Sequence, residues 1–289
     1  MSDHAPGNEP LGLHADSGQQ ARIHARLRKA EAEHGIRIVL AVESGSRAWG
    51  FPSPDSDYDV RFVYVRPMQH DLSLNVENQR DVIEYPITDE TDINGWDLRK
   101  ALRLLGATNP AIVEWLQSPI TYLERGSFCS AARALLPVLY SRPRGMHHYR
   151  HMAAGNYRSY LQGEDVLLKK YFYVLRPLLA VRWIETRGTP PPMEFERLLA
   201  LIEPGSPAHK AVQELRALKA VTSELGRGAR VPALNEYIEA ELARPLAVGA
   251  TGDAGDSDPW AALNRLFMQA LREGPDIGSG ANGGDLHSG

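Results

Sequence analysis

A single cysteine, Cys129, stands in 289 residues. Intrachain disulfides are therefore impossible, and multi-cysteine zinc and iron–sulfur sites are excluded. No stretch approaches the roughly 20 apolar residues that a membrane-spanning helix needs. The opening MSDHAPGNEPLGLHADSGQQ has neither a basic n-region nor an apolar h-region and does not read as a secretory signal. A cytoplasmic protein with no membrane contact is expected. Excess charge is also small: the net is −4, so the chain as a whole is no polycation. Hydrophobic residues make up 43%, enough for a core, which excludes wholesale disorder.

The charge is unevenly spread. Arg37 to Pro119 carries eight Lys/Arg against thirteen Asp/Glu, whereas Arg144 to Arg187 carries eight against three. An acidic half followed by a basic half points to a cation site facing an anion site.

Along the chain, residues 1–18 are Gly/Pro-rich and polar and are expected to be a disordered tail. A helix is expected over 20–34, with Gly35 at its C′ position. The dense apolar run IRIVLAV (36–42) reads as a buried strand, followed by the loop GSRAWGFPSPDS (45–56). In DYDVRFVYV (57–65), Tyr58, Val60, Phe62 and Tyr64 share one strand face, and Asp57, Asp59 and Arg61 the other. A third strand is expected over 81–88 and a fourth over 91–95. A helix marked by Leu98, Leu102 and Leu105 follows, capped by Asp97 or Asn94, then one opening at Asn109-Pro110.

Strand signals vanish from about residue 127. Helices are expected at 127–140, 145–162, 165–187, 193–202, 207–225 and 232–243. The 165–187 helix is apolar on most faces, central to a bundle and kinked at Pro177. Residues 246–289 read as mostly flexible, with a helix near 259–273. The expected class is α+β: a mixed-sheet domain over 19–120, then an α-helical bundle domain over 121–245.

The chemistry concentrates in Gly45-Ser46, a ten-residue gap, then Asp57-Tyr58-Asp59. Carboxylates at i and i+2 on a strand project from one face, about 7 Å apart. Such neighbours repel unless a cation neutralises them, and few oxygen ligands with open positions for phosphate suit Mg²⁺. A Gly-Ser turn at a strand end allows close backbone approach and offers a hydroxyl to a phosphate. Phosphate donors beside metal ligands are what two-metal phosphoryl or nucleotidyl transfer requires. The alternative of an EF-hand loop opening at Asp55 fails, because positions 6 and 12 hold Val60 and Arg66.

GSRAWGFPSPDSDYDVRF resembles the signature of the DNA polymerase β-type nucleotidyltransferase superfamily, Gly-[Gly/Ser], a nine-to-thirteen-residue gap, Asp-x-[Asp/Glu]. DVIEYPITDETDINGWDLRKALRLLGATNPAIVEWLQSP and KKYFYVLRPLLAVRWIETRGTPPPMEFE resemble its branch associated with RNA ligases, the RlaP-like or YcgL-like group. The resemblance spans about residues 20–205. It implies transfer of a nucleoside monophosphate from an NTP such as ATP, with two Mg²⁺ ions, Gly45 and Ser46 on the triphosphate, and Asp57 and Asp59 on the metals. It also implies a third carboxylate from a later strand. Asp92 matches that layout best as the third catalytic acid and metal ligand, which activates the attacking hydroxyl, with Glu84, Asp81 and Asp97 as alternatives, Asp97 reading also as an N-cap. In similar enzymes a Lys and a Tyr or Arg of the helical domain contact the nucleotide. Lys170, Tyr173 and Arg176 fall near one helix face and are the candidates here, against the plainer reading of snorkelling lysines.

Arg47 is a further phosphate candidate, with Glu43 as its alternative partner. Trp49 and Phe51 are expected to pin the loop onto the sheet. His147 and His151 are too few for a zinc site, and Cys129 reads as a small buried apolar residue. RNA repair, with an RNA end as acceptor, is the expectation that the family context implies. Attachment of AMP to a protein or a small molecule, and a non-catalytic or antitoxin-like nucleotide-binding module, are the alternatives.

Overall fold

The computed structural model describes residues 17–222, 225–247 and 258–274. Of the expected tail over 1–18, residues 17 and 18 already open the first helix; residues 1–16, and 248–257 and 275–289 of the expected flexible segment, lie outside the described residues.

Helix α1 (Ser17–His34) buries Ile23, Leu27 and Ala30 and ends at Gly35, which takes a left-handed φ of 59°. Strand β1 (Arg37–Glu43) pairs antiparallel with β2 (Tyr58–Val65). Helix α2 (Met68–Asp71) and a single 3₁₀ turn precede β3 (Val82–Glu84), which is shorter than the expected 81–88. Pro86 lacks the N–H that a ladder needs, and the chain turns through Asp89 and Glu90, both at positive φ. β4 (Thr91–Asp97) returns parallel to β2.

α3 (Leu98–Gly106) is capped by Asp97, whose side chain accepts from the Arg99 N–H. α4 (Pro110–Leu116) is capped by Asn109, with proline at its first turn. β5 (Thr121–Glu124) then pairs with β1, giving a mixed five-stranded sheet in the order β3-β4-β2-β1-β5. The sheet thus takes in a strand beyond residue 120.

The rest is mainly helical: α5 (Phe128–Leu139), α6 (Arg142–Tyr160), α7 (Lys170–Arg187), α8 (Phe195–Leu199), α9 (Pro207–Val221), α10 (Pro232–Ala243) and α11 (Trp260–Arg272). Strand pairing does not end at residue 127. β6 (Asp165–Leu167) pairs with β7 (Arg227–Ala229), so the expected 165–187 helix starts only at Lys170. It runs on through Pro177.

One core fills the sheet face that carries Val60, Phe62 and Tyr64, under α1. A second joins the opposite face, with Val63 and Val65, to α3, α4, α5 and α11. A third lies among α6–α10 and includes Phe51. The loop between β1 and β2 is therefore pinned to the helical body rather than to the sheet. Phe51 packs at 4.7 Å from Phe172 and 5.2 Å from Phe195, Trp49 lies 5.3 Å from Tyr173, and the Phe195 N–H donates to the Trp49 carbonyl. No helix among the described residues is long and apolar enough to cross a membrane.

Candidate functional site

β1 ends at Glu43, and the chain turns sharply at Gly45-Ser46. The Ser44 N–H donates to the Asp59 carbonyl, and the Trp49 and Phe51 N–H groups fold back onto the Gly45 and Ser46 carbonyls. A Cβ on Gly45 would lie 1.7 Å from Asp59 Oδ2. The glycine is therefore required for steric reasons: Asp59 presses against the backbone of the turn.

The strand alternation places Asp59 and Arg61 on one face, as the sequence suggests. Asp57 is exposed just before β2, and Asp59 is partly buried. In the parallel ladder Asp59 stands directly opposite Asp92. Arg61 lies between them: Nη2 donates to Asp59 Oδ1 at 3.1 Å and to Asp92 Oδ2 at 2.7 Å. Burial pushes the Asp59 carboxyl up from its ordinary range; Arg61 opposes that shift, while Asp92 and Asp57 add to it.

The other third-acid candidates are elsewhere. Glu84 is exposed and paired with Arg80 at 2.5 Å, Asp81 is paired with Lys100 at 2.9 Å, and Asp97 caps α3. Of the four, Asp92 is the one held beside Asp59.

A cavity of about 410 Å³ opens in front of Asp57 and Asp59; Asp92 stands behind Asp59 in the ladder and does not line it. One wall is the loop and strand: Ser46, Ser53, Ser56, Asp57 and Asp59. The other is helical: Lys169, Tyr173 and Lys219. Acids of the first half thus face two lysines across it, Lys169 from the basic segment 144–187 and Lys219 from beyond it. Lys169 lines the cavity; its neighbour Lys170 lies 4.3 Å from the Tyr160 ring and 4.5 Å from the Tyr173 ring. Arg176 sits beneath Trp49 in a buried ion pair with Glu114 at 3.0 Å. Arg47 donates to the Ser56 carbonyl at 2.7 Å and stacks 3.8 Å above the Tyr58 ring, so its protein partner is Ser56 rather than Glu43.

Lys219 escaped the sequence reading, and Glu43 entered it only as a partner for Arg47. Glu43 is fully buried under the turn, where its carboxylate accepts from the Asp59 N–H at 2.9 Å and the Tyr122 hydroxyl at 2.6 Å. Burial raises its pKa above the ordinary value. The visible signal was an acid closing an apolar strand. Lys219 is buried on α9 and donates to the Phe51 carbonyl at 2.9 Å. Desolvation, with Arg47 and Lys169 nearby, brings its pKa down to about 8. Its signal was positional, since Ala208, Ala211, Val212 and Leu215 form the buried stripe that Lys219 continues.

A divalent cation fits part of this donor set. Asp57 and Asp59 both line the cavity and offer carboxylate oxygens to it. Among the described residues no three His, Cys, Asp or Glu side chains are grouped as a metal cage. His147 and His151 are both exposed. A larger cavity of about 560 Å³, bounded by Leu116, Arg133, Tyr140 and Pro190, contains none of the candidate residues.

This is the arrangement of a polymerase β-type nucleotidyltransferase: a mixed sheet, a Gly-Ser turn against paired aspartates, and a helical body facing them. Residues 20–269 match the family RlaP, described as the RNA repair pathway DNA polymerase beta family, and the chain belongs to that family. It is 43% identical over 252 residues to the uncharacterized protein YcgL of Bacillus subtilis (strain 168), covering 87% of this chain and 96% of that one. A nucleotidyltransferase-like protein from Exiguobacterium sibiricum aligns at 16% identity over 89% of this chain and 80% of its own, with a TM-score of 0.27.

Proposed function

We propose that the protein is a Mg²⁺-dependent nucleotidyltransferase that moves the nucleoside monophosphate of an NTP onto a hydroxyl at an RNA end. One observation carries the reading: Asp59, pressed against Gly45 and in register with Asp92, lies across a single cavity from Lys169 and Lys219. The family's description as an RNA repair family supports the choice of acceptor.

In this reading Asp57 and Asp59 hold the divalent ion. When bound, it offsets the charge of the triphosphate oxygens and of the leaving pyrophosphate. The Ser46 hydroxyl, which donates to Ser56 at 3.0 Å, turns to a phosphate oxygen. Lys169 and Lys219 meet the β- and γ-phosphates from the helical side. Asp92 takes the proton of the acceptor hydroxyl. The acceptor oxygen bonds to the α-phosphorus, the bridging oxygen between α- and β-phosphorus leaves, and pyrophosphate carries the electron pair away. Tyr173, which lines the cavity and is 41% exposed, offers a stacking surface to the base.

The test is pyrophosphate release from each labelled NTP with Mg²⁺ and an RNA bearing a 3′ hydroxyl, using Asp59→Asn as control. Release that needs RNA and is lost in the variant supports the proposal. Release with a protein or small-molecule acceptor alone changes the acceptor. No release under any pairing, with NTP still bound, replaces the enzyme by a nucleotide-binding module.

A further inference from the structure

The arginine between the two aspartates has a definite structural role. Arg61 lies on the strand face it shares with Asp59, where the next residues inward are the buried Val63 and Val65. Its side chain is 15% exposed, so it is not a surface cation that has folded back. Nη2 bridges Asp59 and Asp92, while Nη1 donates to the Asp92 carbonyl at 3.0 Å and to the Val60 carbonyl at 3.1 Å. The two backbone carbonyls fix the guanidinium from behind, so it is anchored independently of the carboxylates that it joins.

We propose that Arg61 is a resident cation of the carboxylate site. It fills the place between Asp59 and Asp92, so that the metal-free protein takes one divalent ion, on the Asp57 side of Asp59, instead of two. The inference rests on the nucleotidyltransferase reading of the same site.

Three arguments lead there. The first is register: residues opposite one another on adjacent strands lie about 5 Å apart, so the Asp59 and Asp92 carboxylates need a counter-charge between them, and Arg61 supplies it. The second is the division of Asp59's surroundings. Oδ1 accepts from Arg61 on the Asp92 side, whereas Asp57 and Asp59 line one cavity that Asp92 does not line. The third is charge. An arginine does not lose its proton in proteins. Asp57, Asp59 and Asp92 with Arg61 therefore leave two negative charges, which one divalent ion balances.

A consequence separates this role from a merely structural one. In Arg61→Met the paired acids lose their counter-charge, and a second divalent ion becomes the means of restoring it. The experiment counts Mn²⁺ bound to the full chain without nucleotide, from the free Mn²⁺ signal in electron paramagnetic resonance. A thermal melt is recorded for each protein with and without Mg²⁺. Wild type is expected to bind one ion. Arg61→Met is expected to bind two, the first at least ten-fold more tightly than in wild type. Its melting temperature should be low without metal and recover with Mg²⁺ by more than that of wild type. Arg61→Lys keeps the charge but lacks the planar fork, and serves if the methionine variant does not fold. It should still bind one ion, and more tightly than wild type, because an ammonium grips Asp59 less firmly.

Two ions in wild type overturn the proposal, and so do unchanged number and affinity in the variants. If Asp59→Asn abolishes pyrophosphate release while wild type binds two ions, the enzyme reading stands and the Arg61 role falls. If wild type binds no Mn²⁺ and releases no pyrophosphate, both fall together.

Discussion

At Asp59 the backbone N–H is held by Glu43, one carboxylate oxygen is held by Arg61, and the other presses on Gly45. Asp57→Asn or Asp59→Asn should therefore abolish transfer while leaving the metal-free fold at least as stable, since each removes a charge from a crowded set. Turnover and a thermal melt check both halves. Gly45→Ala loses transfer as well but not with stability kept: the added methyl displaces Asp59 or the turn, at a cost of about 1–3 kcal/mol. Lys219 gives a pH signature. With its pKa near 8, it is charged at pH 7 and loses its proton above pH 8, so NTP affinity should fall between pH 7 and 9. Lys219→Met removes one charge-assisted contact, about 1.5–3 kcal/mol, or roughly ten- to a hundred-fold in affinity, and should flatten that profile. Titration of both proteins at the two pH values decides it.

The turn from β4 into α3 is set by Asp97, which serves as an N-cap although it is buried. Burial pushes its carboxyl up to about 6, with Asp71 adding and Arg66 and Arg99 opposing. The folded value lies above the unfolded one of about 3.9, so the native state holds the extra proton between roughly pH 4 and 6. Stability from this group is full below that window and is lost as pH rises through it. Asp97→Asn keeps the cap and should raise stability at pH 8 by up to about 2 kcal/mol, with little gain at pH 4, as urea melts at the two pH values would record.

Elements with a clear period or cap were legible in the sequence. The alternation in β2, the Asn109-Pro110 start of α4 and the leucines of α3 all sit where their chemistry puts them. β6 and β7 were not, because three residues carry no period and each strand exists only through its distant partner. For the same reason the site was half legible. The Gly-Ser turn and the aspartates are local in sequence, whereas Lys219 reaches the cavity from α9, 168 residues beyond the Phe51 carbonyl that it holds.

Across the whole molecule, the loop that carries Gly45 and Ser46 belongs by chain to the sheet and by packing to the helical core. Phe51→Ala should cost about 3–5 kcal/mol through the cavity that it leaves among Phe172 and Phe195. It should also weaken NTP binding, because the loop loses its anchor. A denaturant melt and an NTP titration measure the two effects, and Leu at the same position should restore part of each. A loss of stability with unchanged NTP affinity would separate the loop's anchor from its ligand.

Helix α11 has a bearing on synthesis. Leu263, Leu266, Ala270 and Leu271 are buried in the core shared with Val65, Leu98 and Leu102 on the sheet side, and a Cβ on Gly106 would lie 2.9 Å from Leu263. The sheet half is thus covered by a segment made only after the whole helical body between them. While the ribosome is still translating the helical half, that patch of α3 and α5 has no cover. The nascent chain then presents an apolar surface that other proteins, or its own copies, can reach until residue 272 emerges.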